Sequence, residues 1–88
     1  MNLSGGFSNN NDIAKGFKLL DIHREHIQHE LRYNYVKKTI LSFESQVVNG
    51  TNFRIQVRTE ANEFEVVIHE PLPYTHQPTE LISLTLLR

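Results

Sequence analysis

Among the five histidines of the chain, His23, His26 and His29 recur every third residue, with Glu30 beside the last of them. Imidazole and carboxylate together make a zinc-type ligand set. On a helix, however, steps of three leave the outer two imidazoles about 120° apart around the axis, so they do not converge as an i, i+4 pair would. Glu25 with His29, and His26 with Glu30, instead have the four-residue spacing of partners on a wetted helix face. No metal or other cofactor is expected. Nucleophilic chemistry has less to work with: there is no cysteine, and Ser42, Ser45 and Ser83 fall in strand-like sequence without the strained turn that exposes a nucleophilic serine. Gly5-Gly6 lacks the preceding strand and following lysine of a phosphate-binding loop. Glu63 and Glu65 are two apart on a strand, hence on one outer face, and read as solvated carboxylates. The sequence predicts a protein that is not an enzyme.

What remains is surface shape. Asn49-Gly50 is a strong two-residue hairpin signal, because both positions tolerate the positive φ of a type I′ turn. Consecutive Val47 and Val48 just before it must face opposite ways, so one of them is expected to be exposed near a loop tip. A hairpin needs no such valine. The segment Pro71-Leu72-Pro73-Tyr74-Thr75-His76-Gln77-Pro78 repeats the anomaly, since its prolines forbid ladder donors and Leu72 and Tyr74 flank one of them. Apolar groups at loop tips, held by a stiff sheet, are what a binding edge requires.

The elements that would hold these loops can be read from periodicity. Ile13, Phe17, Leu20, Ile27 and Leu31 fit one stripe of an amphipathic helix of about five turns, capped by Asn11 or Asp12. Gly16 inside it costs about 1 kcal/mol relative to alanine, and close approach to a sheet would explain its presence. From Tyr35 onward the period becomes 2: Leu41, Phe43, Ser45 and Val47, then Phe53, Ile55 and Val57, then Phe64, Val66 and Ile68 alternate with neighbours that are polar except for Val48 and Val67, and a last strand covers 81–87. Each strand has one apolar face, and the helix is the available cover. The expected fold is α+β: a four- to five-stranded antiparallel sheet wrapped around one long helix. Residues 1–88 form a single domain, with 1–10 as a flexible arm.

Composition agrees with a small globular domain: 88 residues, 39% hydrophobic, 22% charged, and a formal net charge of -1. That balance offers no basic field to nucleic acid or anionic lipid, and no run of sequence is apolar enough to span a membrane. Absence of cysteine and of a signal-like start predicts a cytoplasmic protein.

Gln46-Val47-Val48-Asn49-Gly50 fits the Gln-x-Val-x-Gly motif of the cystatins. The longer run from Ser45 to Phe53, followed by Ile55-Gln56-Val57, resembles their stefin, or type 1, branch. Gly5-Gly6-Phe7-Ser8 is similar to the stefin amino-terminal glycine segment, and Leu72-Pro73 sits where that family carries its second hairpin. The resemblance implies a reversible, tight-binding competitive inhibitor of papain-like, cathepsin-like cysteine proteases. It implies a wedge made of the arm at Gly5, or Gly6 in its place, the first hairpin Gln46, Val47, Val48, Asn49 and Gly50, and the second at Leu72 and Pro73, where Tyr74 adds an aromatic contact. The alternative is a non-inhibitory module of the same fold that binds other proteins or itself. A monomer is expected, with a domain-swapped dimer as an accessible second state.

Overall fold

The computed structural model describes residues 6–88. Among the described residues five strands form one antiparallel sheet in sequence order: β1 (Ser8–Asn9), β2 (Lys38–Val48), β3 (Gly50–Thr59), β4 (Glu63–Glu70) and β5 (Glu80–Leu86). Two helices, α1 (Ile13–Ile22) and α2 (Arg24–Leu31), cover one face. The alternation in β3 and β4 puts Phe53, Ile55, Val57, Phe64, Val66 and Ile68 on that face, where all are buried. Phe43 from β2 stacks on Phe53 with ring centroids 5.5 Å apart. The fold class is therefore α+β, as the change of period predicts.

The single long helix is not observed. At His23 (φ -103°, ψ 13°) the helical path breaks, although neither proline nor glycine is present there. The imidazole Nε2 of His23 lies 2.8 Å from the Thr79 hydroxyl, tying the break to the residue before β5. On either side of it, α1 lies against β2 and α2 against β5. A twisted sheet does not present one straight groove across its whole width, and the break lets each segment follow its own part of that surface. The apolar stripe changes with it. Leu20 and Ile27 are buried as expected and Leu19 joins them, whereas Ile13, ahead of the sheet's cover, is exposed.

Capping follows local chemistry. The Asp12 carboxylate accepts from the Lys15 amide at 3.2 Å, satisfying a first-turn donor. At the other end Arg32 takes a left-handed conformation (φ 56°), and the Tyr33 amide returns to the Gln28 carbonyl at 3.2 Å. Gly16 has the close approach its position suggests: a Cβ there would sit 2.9 Å from Ile40 Cδ1 and 3.5 Å from the Phe43 ring.

One strand departs from simple alternation. Ile40 pairs with Val57 and Ser42 with Gln56, so Leu41 is an extra residue in β2. The bulge turns Ile40 toward the core and leaves Leu41 40% exposed, so Leu41 does not share the inner face with Phe43.

At the sheet end that carries the β3–β4 turn, Glu60 fastens the helix exit. Its carboxylate accepts from the Tyr33 hydroxyl at 2.7 Å and from the amides of Val36 and Lys37 at 2.9 and 3.0 Å. The Lys37 amide, the Tyr33 hydroxyl and the Val36 amide together hold the Glu60 carboxyl down to about 2.

Candidate binding edge

The opposite end of the sheet gathers the loops. Strands β2 and β3 pair from Lys38↔Thr59 to Val48↔Gly50, leaving Asn49 alone at the tip. Gly50 has φ 96°. Asn49 is not among the described residues with positive φ, so the turn is not type I′. A positive φ at the last loop residue alone is what a type II turn or a glycine-bulge turn requires, and both favour glycine there. Gly50 is fixed for a second reason: a Cβ there would lie 2.5 Å from the Glu70 carbonyl oxygen.

Both valines before the turn are exposed, Val47 at 86% and Val48 at 44%. The sequence requires only one of them to face water. The second is exposed because the helices stop short of this end, and neither face of β2 is covered there.

Two side chains the sequence did not single out, Asn52 and His69, brace the hairpin through Gln46. Asn52 donates from Nδ2 to Gln46 Oε1 at 3.1 Å, and its Oδ1 lies 2.7 Å from His69 Nδ1. Since the Asn52 oxygen can only accept, the imidazole donates from Nδ1. The row crosses β2, β3 and β4 at the third pair from the tip, through the pairs Gln46↔Asn52 and Asn52↔His69. The His69 ring also flanks Gly50, with Cε1 and Nε2 3.1 and 3.2 Å from where its Cβ would be. On the helix side, Lys15 Nζ pairs with Glu70 Oε2 at 2.7 Å. The signal for the row was available as Asn52 and His69 on the outer face of neighbouring strands, but only the register places them side by side.

Strand β4 ends at Glu70, opposite Thr51, and β5 begins at Glu80, opposite His69. The loop 71–79 therefore leaves and returns beside the first hairpin. Its middle, Pro73–Thr75, is one 3-10 turn, closed by the Thr75 amide and hydroxyl on the Leu72 carbonyl at 3.0 and 2.7 Å. His76 ends it in a left-handed conformation (φ 55°). Leu72 is half-buried, Pro73 is exposed, and Tyr74 is 76% exposed.

The arm arrives at the same end. Ser8 pairs with Ser45 and Asn9 with Glu44, and the Asn10 amide donates to the Phe43 carbonyl at 2.8 Å. Because the pairing is antiparallel, Phe7 and Gly6 continue from Ser8 in the direction of Val47. The Arg54 guanidinium stacks on the Phe7 ring, 4.2 Å from its centroid, while also pairing with Glu44 at 2.8 Å. Gly6 lies in open space, with nothing within 4 Å of an added Cβ. Gly5 lies outside the described residues.

The histidine series of the helix faces three different neighbourhoods. His23 reaches Thr79, His26 borders a groove with Leu81 and Leu84, and His29 lies with Gln28, Arg32 and Tyr33. Burial, followed by the charge of His26, lowers the His23 pKa below its ordinary value. Among the described residues no three His, Cys, Asp or Glu side chains could hold one metal ion, and no helix is long and apolar enough to cross a membrane. Compared with models of protein families and with curated proteins, the chain matches none.

Proposed function

We propose that the chain is a reversible, competitive inhibitor of papain-like cysteine proteases, with a cystatin-like fold of the stefin type, acting in a reducing compartment such as the cytoplasm. One observation carries the reading: three separate segments, 6–8, 46–50 and 72–74, reach the same end of one rigid sheet and present apolar side chains there. An edge of that shape enters a cleft and fills it without offering a bond for cleavage. The inhibitor does no chemistry.

Val47, Val48, Leu72 and Tyr74 supply apolar area worth about 25 cal/mol for each Å² removed from water. The Gln46–Asn52–His69 row and the Pro73–Thr75 turn preorganise the two loops, so little ordering entropy is lost on binding. Inhibition of papain tests the proposal. Activity should fall as the chain is added and recover on dilution, and full activity at micromolar inhibitor contradicts it.

A second reading has an observation of its own. Strands β2 and β3, of 11 and 10 residues, are joined through Asn49 alone, so opening that turn makes one long strand that a second copy could complete. In that case the chain is a self-associating module, and opening the tip removes the inhibitory edge. Size-exclusion chromatography combined with the papain assay separates the two.

A further inference from the structure

Strand β5 is the last of the sheet, and among the described residues nothing pairs with its far side. It is nevertheless apolar, with Ile82 54% and Leu86 60% exposed. Such an edge presents unpaired backbone donors and acceptors beside side chains that gain from leaving water.

Two bulges decide what its faces carry. The register passes from Val67↔Ser83 to Ile68↔Leu81, which makes Ile82 an extra residue. At the other end the amides of Leu87 and Arg88 both donate to the Glu63 carbonyl, at 2.8 and 3.2 Å, while the Glu63 amide donates to the Arg88 carbonyl at 2.8 Å. Each extra residue flips the alternation. Glu80, opposite His69, and Arg88, whose Nε lies 3.6 Å from Glu63 Oε1, therefore stand on the same outer face. Leu84 and Leu86, opposite Val66 and Phe64, stand on the helix side. Because Glu63 and Arg88 exchange both backbone bonds, the alternation of an antiparallel ladder directs the backbone groups of Leu84 and Leu86 to the open edge.

We propose that β5 pairs antiparallel with β5 of a second copy about a twofold axis at Leu84, joining two sheets into one. In this register Leu84 meets Leu84, Ile82 of each copy meets Leu86 of the other, and Glu80 of each meets Arg88 of the other on the outer face. Both charges are exposed in the single chain. A register centred elsewhere on the strand does not bring Glu80 of one copy opposite Arg88 of the other, so charge selects both the partner and the alignment. One strand from each copy is a small interface, which makes the dimer a concentration-dependent species. The twofold axis reverses the strand direction, so the two loop-bearing ends point away from each other. On the inhibitory reading, and only on it, the dimer carries two free binding edges.

Sedimentation equilibrium of the full chain tests this without reference to any protease. Between about 10 µM and about 1 mM the mean mass should rise from 10.3 kDa toward twice that value. Glu80→Arg or Arg88→Glu should each raise the dissociation constant about tenfold, as like charges replace both salt bridges, with an unchanged circular dichroism spectrum. The double variant should restore dimerisation. A chain that stays monomeric throughout overturns the proposal. So does a dimer indifferent to the single reversals, or one the double variant fails to restore.

Discussion

Gly50 is the residue whose demands are set by the fold alone. Its φ of 96° and the 2.5 Å from a Cβ position to the Glu70 carbonyl both exclude a side chain. Gly50→Ala should destabilise the protein by about 1–3 kcal/mol, read as a lower urea midpoint with an unchanged slope. Val47 is the converse case. At 86% exposure it contributes almost nothing to the free protein, so Val47→Asp should leave the urea midpoint unchanged and weaken protease inhibition at least tenfold. His69 lies between these extremes. His69→Ala removes the donor to Asn52 and loosens the hairpin brace, and inhibition should weaken through faster dissociation while association changes little, as stopped-flow kinetics would report. The motif around Gly50 was legible because a glycine after an asparagine has few structural uses. The bracing residues were not, because Asn52 and His69 are 17 positions apart and only strand register makes them neighbours.

At the scale of elements, the strands were legible and the helix only partly so. Alternation in β3 and β4 is uninterrupted, and each inward position it nominates is buried. Leu41 was misplaced because a bulge adds one residue without any glycine or proline to announce it, and every position before it then changes face. The helix broke at His23 for a reason that lies outside it, the hydrogen bond to Thr79 and the different strands the two halves cover. The junction after α2 makes a separate prediction. Glu60 binds its donors more strongly as a carboxylate than as an acid, so its folded pKa lies below the unfolded one, and the stability this contributes is complete above the ordinary value of 4.5. That contribution should be lost as pH falls from 4.5 through about 2. In Glu60→Gln this part of the acid transition should be flattened, measured as the denaturant midpoint at a series of pH values.

For the whole molecule, the two ends of the sheet have opposite characters. The end at Glu60 is tied down by three hydrogen bonds to its carboxylate and by ion pairing, with Arg58 and Arg88 both on Glu63. The other end leaves Val47, Val48 and Tyr74 in water and spends its polar groups on bracing the loops that display them. That asymmetry is unnecessary for folding a domain of this size and is useful for entering a cleft. The measurement that tests it most directly is the steady-state kinetics of papain at several substrate and inhibitor concentrations. We expect the apparent KM to rise with inhibitor while kcat stays constant, because substrate and the loop edge occupy one cleft. An unchanged rate at micromolar inhibitor, or a fall in kcat at constant KM, would contradict a wedge in the active site.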